Sequence, residues 1–156
     1  TGDVVGTCRG HGGRVISVAF SGDGKLASGS EDGHVRLWDV GSRKTIFIQE
    51  YRRPRVAFSG SWLAIAPGGT PNGDEEVGEV ELWDYASGRQ LHRLPESGNR
   101  IAFSNDGKML ATGSRNGQIT IWDPANGEKL DRVFGRQVRA MATPSGSNRR
   151  AAGPSC

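Results

Sequence analysis

Three times along the chain an aliphatic-Ala-Phe-Ser tetrapeptide is followed by an aliphatic-Trp-Asp tripeptide, and repetition at a fixed period decides a fold before any single element does. Val18-Ala19-Phe20-Ser21 recurs as Val56-Ala57-Phe58-Ser59 and as Ile101-Ala102-Phe103-Ser104. Leu37-Trp38-Asp39 recurs as Leu82-Trp83-Asp84 and Ile121-Trp122-Asp123, which places the tryptophans 45 and 39 residues apart. Between the markers lie Lys25-Leu26-Ala27-Ser28-Gly29-Ser30 in the first copy and Lys108-Met109-Leu110-Ala111-Thr112-Gly113-Ser114 in the third. A unit of roughly 40 residues cannot enclose a core alone, so each copy must bury its faces on its neighbours.

Within a copy the period is two. In His34-Val35-Arg36-Leu37-Trp38 and Gln118-Ile119-Thr120-Ile121-Trp122, apolar and polar side chains alternate up to the tryptophan, the pattern of a strand with two different faces. Gly22-Asp23-Gly24, Asp32-Gly33, Asn105-Asp106-Gly107 and Asn116-Gly117 punctuate these runs, and Asp-Gly or Asn-Gly supplies the positive φ of a tight hairpin. A fourth apolar run follows each Trp-Asp pair, beginning near Lys44, Arg89 and Glu128. The reading is four short antiparallel strands per copy. The 24 glycines among 156 residues suit many turns, and no apolar run approaches the roughly 20 residues that cross a bilayer.

These markers resemble the WD-repeat family, whose units of about 40 to 45 residues carry Gly-His near the start and Trp-Asp near the end; Gly10-His11 and Trp38-Asp39 fit that form. The resemblance covers essentially the whole chain. It implies an all-β fold, a partial β-propeller of three full four-stranded antiparallel blades with partial blades at each end. The expected boundaries are 1–9 for the outer strand of a preceding blade, then 10–48, 49–94 and 95–134 for the full blades. The stretch 135–156 is either a degenerate fourth blade or a flexible Gly/Ser/Arg segment. Rings of this kind hold about 4 to 8 blades, so the array is expected to belong to a longer propeller or to close with another chain.

The same resemblance gives His11, Ser28, Asp32 and Trp38 a structural role: a hydrogen-bonded tetrad in which His11 bridges Ser28 and Asp32, and Ser28 accepts from the indole N–H. A hydrolase triad is the competing inventory, but Ser28 stands in a strand pattern, without the sharp G-x-S-x-G turn a nucleophile needs. The second copy keeps Trp83 with Ile65 opposite Ser28. The third keeps Thr112, Asn116 and Trp122 and has no histidine, so packing is expected to hold both copies.

Charge and loops bear on partners. From Arg132 onward there are five arginines and no acid, which leaves 15 basic and 17 acidic residues before it. That segment lacks interleaved aromatics, so nucleic acid is a weaker reading than a solvated basic tail. Leu63 to Trp83 spans eight residues more than the matching interval of either other copy, an insertion placed at 67–76. Asp74, Glu75 and Glu76 make it acidic and suit a basic partner, while Glu31 and Arg115 fall on the same face by analogy. Cys8 and Cys156 have no CxxC spacing and read as free thiols. No phosphate loop, HExxH motif or apolar carboxylate pair occurs, and no cofactor or metal is implied. The resulting expectation is a non-catalytic, intracellular, cytoplasmic platform for other proteins or peptides. The alternatives are a sensor propeller joined to a kinase or NTPase, and an RNA-associated one using the arginine-rich end.

Overall fold

The computed structural model describes residues 2–69, 78–95, 98–114 and 116–134. Among these, twelve strands form three four-stranded antiparallel sheets, each running in chain order from one edge to the other. The first holds Val15–Phe20 (β1), Lys25–Ser30 (β2), His34–Asp39 (β3) and Lys44–Glu50 (β4). Arg55–Ser59 (β5), Trp62–Ala66 (β6), Val80–Asp84 (β7) and Arg89–Leu94 (β8) form the second. The third consists of Arg100–Phe103 (β9), Leu110–Gly113 (β10), Gln118–Trp122 (β11) and Lys129–Phe134 (β12). The fold is all-β, and every sheet follows from one copy of the repeat.

The turns explain why the strands reverse where they do. Gly24, Gly33, Gly107 and Gly117 take φ of 83°, 86°, 70° and 82°, the left-handed region in which a Cβ is disfavoured. The turn into the fourth strand repeats as well, with Gly88 and Gly127 at φ 68° and 73°. In the first sheet that position is Arg43 at φ 58°, whose guanidinium Nη2 donates to the Val5 carbonyl at 3.3 Å. The aspartate of each Trp-Asp pair caps this turn. Asp39 accepts from the Ser42 N–H at 2.7 Å, Asp84 from the Ala86 N–H at 3.1 Å and Asp123 from the Ala125 N–H at 2.8 Å. At each tryptophan the ladder to the fourth strand skips one residue, Ile46, Leu91 or Leu130. A bulge of this kind bends the strand and re-aims the side chains beside it.

Alternation then builds the core. In β6, Leu63 and Ile65 face the first sheet, where they meet Ala27, Val35 and Leu37, whereas Ala64 and Ala66 face the third, with Leu110 and Trp122. The first strands lie innermost: β1 packs beside β5 and β5 beside β9, so the sheets fan from a common side. Ser17 of β1 ties this hub together, accepting from the Val56 N–H at 3.0 Å. Gly29 of β2 approaches the second sheet so closely that a Cβ there would lie 2.2 Å from the Pro54 carbonyl oxygen.

The strand ends bear on two of the expected boundaries. Residues 2–9, expected as the outer strand of a preceding blade, pair with none of the twelve described strands. The first sheet also runs on to Glu50, and the second begins only at Arg55. The 135–156 segment lies outside the described residues.

Gly29→Ala should destabilise the protein by about 1–3 kcal/mol, since backbone rather than a flexible side-chain tip occupies the space a methyl needs. Urea denaturation reads this directly, and an unchanged midpoint would show that the two sheets separate easily there.

Candidate binding face

The loop before β1 and the β2–β3 turn meet at one end of the first sheet, joined by side chains. His11 Nε2 lies 2.7 Å from Ser28 Oγ, its Nδ1 lies 2.8 Å from Asp32 Oδ2, and the Trp38 Nε1–H donates to Ser28 Oγ at 2.8 Å. One tautomer satisfies every group: Nδ1–H donates to the carboxylate while Nε2 accepts the serine proton. Asp32 also accepts from the Gly12 N–H at 2.8 Å and the His34 N–H at 3.0 Å. Burial alone would push the Asp32 carboxyl up, but the bonds from His11, Gly12 and His34 outweigh it and hold it at about 2. The His11 ring also meets the Trp38 ring edge-on, with centroids 5.9 Å apart. Although the Ser-His-Asp order mimics a hydrolase, Ser28 is 3% exposed and its oxygen already accepts the indole proton. Ser28 and His11 face the same open cavity as Trp38, and the serine oxygen there is held as an acceptor for the indole.

The other tryptophans solve the same problem differently. Trp122 Nε1–H donates to Thr112 Oγ1 at 2.9 Å. Asn116 does not join them; its Oδ1 accepts from the Ser114 hydroxyl and, at 3.2 Å, from the Gln118 N–H within its own turn. The expectation that packing alone holds the second copy is corrected. Trp83 Nε1–H is 3.1 Å from both the Tyr51 hydroxyl and Glu81 Oε2, and Tyr51 donates to that same carboxylate. Burial pushes the Tyr51 phenol well above its ordinary value, and Glu81 adds to the shift. Arg93 approaches Glu81 at 3.3 Å. A signal for this existed: with Ile65 where an acceptor is needed, Glu81 stands two residues before Trp83 on the same face of β7.

Next to the tetrad, the ends of all three sheets frame an open cavity of about 580 Å³. Arg14, Arg53 and Arg55, Asn99, Arg100 and Ser114 line it, contributed by the starts of the inner strands and the loops beside them. Glu31 lies at this end, where its Oε1 accepts from Arg14 at 2.7 Å and Arg53 at 2.8 Å. The Arg14 bond is the main reason its carboxyl sits below the ordinary range. Asp74, Glu75, Glu76 and Arg115 lie outside the described residues. His34 and His92 bond to carbonyl oxygens, of Asp32 at 3.0 Å and Ala125 at 3.2 Å.

Trp38→Ala should cost about 3–5 kcal/mol, combining a cavity with the loss of the acceptor's partner; a cost under about 1 kcal/mol in urea denaturation would show the tetrad contributes little. Asp32 supplies a pH signature. Its folded value of about 2 lies below the unfolded one near 3.9, so the unfolded state binds more protons between them. The stability it confers is complete above about pH 4 and is lost as pH falls through its folded value. Asp32→Asn should flatten that acid-side slope, and an unaltered slope would assign it to other carboxylates.

The family described as WD domain, G-beta repeat matches residues 2–39 and 88–123. The chain is 29% identical over 138 residues to the Periodic tryptophan protein 2 homolog of Schizosaccharomyces pombe, covering 88% of this chain and 11% of that protein. It is 34% identical over 147 residues to Protein ANTHESIS POMOTING FACTOR 1 of Arabidopsis thaliana, covering 88% of this chain and 44% of that one. The chain thus spans less than half the length of these curated relatives. In fold it is similar to the computationally designed Ika4 protein, at TM-score 0.68 and 22% identity over 84% of this chain and 79% of that chain. Repeats of this kind generally mediate protein–protein interaction, and proteins built from them are generally non-catalytic. With two matched repeats and three Trp-Asp sheets fanned about their first strands, the chain belongs to the WD-repeat family of β-propellers.

Proposed function

We propose that this chain is a non-catalytic platform for other proteins or peptides, engaged at the end of the sheets where Arg14, Arg53, Asn99 and Ser114 converge. One observation carries the reading: loops from three separate sheets frame a single open cavity there, beside a tetrad that fixes one of those loops in place. Loops held on a rigid scaffold are where binding residues concentrate. The outward face of the first sheet, where Val18 is 62% and Phe20 67% exposed, supports a place in a larger ring completed by further sheets of the same protein or another chain.

A photo-reactive side chain introduced at Asn99, and separately at Asn105 at the opposite end of the same sheet, tests the face. Irradiation of the complete protein in its native extract should give protein adducts from the first position and few from the second. Equal yields from both ends, or none at Asn99, would remove the assignment.

A further inference from the structure

Four guanidinium groups converge on the cavity mouth from parts of the chain far apart in sequence: Arg14 before β1, Arg53 before β5, Arg55 in β5 and Arg100 in β9. Glu31 neutralises part of this charge by bridging Arg14 and Arg53. Arg55 and Arg100 have no carboxylate within ion-pairing distance among the described residues. Their positions match, each directly preceding the aliphatic-Ala-Phe marker of an inner strand, so adjacent sheets present them side by side. Arg55 is half-buried, and its charged form is disfavoured first by that burial and then by Arg100 and Arg53 nearby. Like charges held together over an open cavity, with no carboxylate partner among the described residues, form a site that an anion relieves.

Glu31 shows the geometry that an incoming acid would adopt, since one of its oxygens accepts from two guanidiniums at 2.7 and 2.8 Å. Arginine suits this pairing because its planar fork presents several donors to one carboxylate. We propose that the mouth recognises a carboxylate-rich segment of a protein partner, whose Asp or Glu side chains pair with Arg55 and Arg100 while Arg14 and Arg53 remain on Glu31. This rests on the platform reading and adds the partner's chemistry to it. A peptide fits the site better than a nucleic acid does: among the described residues no aromatic ring lines the cavity for bases to stack on, and two guanidiniums without a carboxylate partner are few for tracking a phosphate backbone.

Fluorescence anisotropy with the complete protein tests the assignment using three probes: an oligo-glutamate peptide, its glutamine counterpart and a single-stranded oligouridylate of matching charge. The glutamate peptide should bind and the glutamine peptide should not. Arg55→Gln with Arg100→Gln should weaken binding roughly tenfold or more, while Arg89→Gln, an exposed arginine at the opposite end of the second sheet, should leave it unchanged. Arg100→Gln alone, at an exposed position, should give part of the loss and guards against a folding defect in the double variant. Equal weakening by Arg89→Gln, tighter binding of the oligouridylate or no binding of the glutamate peptide would each overturn the proposal. If the peptide fails while adducts at Asn99 persist, the charge assignment falls and the platform stands; loss of both removes the platform.

Discussion

The middle sheet has two buried faces, and they are made of different residues. Leu63 and Ile65 of β6 point one way and Ala64 and Ala66 the other, and all four are fully buried. Strands of four to seven residues enclose nothing by themselves. Each large aliphatic side chain therefore contributes its roughly 1.5–3 kcal/mol only if a neighbouring sheet covers it. Position by position, the terminal sheets show the dependence. Val35 and Leu37 of the first sheet and Val80 and Leu82 of the second are buried by the sheet that follows, whereas the matching Ile119 and Ile121 of the third keep partial exposure. On the first sheet the far face carries Val18, Phe20, Ile46 and Ile48, all exposed.

Given that dependence, a large ring facing a neighbouring sheet brings a polar atom with it. An indole buried between sheets must find an acceptor for its N–H, and the three copies find three. Ser28 and Thr112 stand ten residues before their tryptophans and are placed directly by the ladder between the second and third strands. In the second copy that position is taken by Ile65, so the acceptor comes from Tyr51, in the connection before β5, and from Glu81. The change alters what the loop contributes. His11 anchors the first loop by linking Ser28 to the Asp32 carboxylate, whereas Tyr51 anchors the second by bonding directly to the Glu81 carboxylate, which Arg93 also approaches.

What was legible in the sequence follows the same division. Periodic features were readable because each lies within one copy: the strands from period-two alternation and the hairpins from Asp-Gly and Asn-Gly, while the Ser28–Trp38 bond came from the family resemblance and the Thr112–Trp122 bond was not expected. Features that cross between copies were not readable. Tyr51 reaches Trp83 across 32 residues, and Gly29 is required by Pro54 of the next sheet's approach. The role of Asp39, Asp84 and Asp123 as turn caps was also hidden, although the pairs themselves marked the repeat, because the motif names the residue and not the N–H it accepts from. Arg43 shows the reverse, a departure from glycine at a left-handed position that makes sense only once its reach to Val5 is seen.

The charge at the cavity mouth belongs to this second class. Read linearly, the acids at 74–76 and the arginines from Arg132 onward dominate, whereas Arg14 and Arg100 stand singly and Arg55 closes the short run Arg52-Arg53-Pro54-Arg55. A fan of sheets gathers the starts of its inner strands, so residues at one repeat position become neighbours whatever their distance along the chain. Ser17 occupies that position in β1 and bonds the backbone of β5, while Arg55 and Arg100 occupy it in β5 and β9. Each extra charge there raises the desolvation and repulsion that the others feel, so the position carries structural weight where it holds serine and electrostatic strain where it holds arginine. In a repeat protein, then, substitutions at a single repeat position set the charge of the hub, and the fold that aligns them is set by entirely different positions.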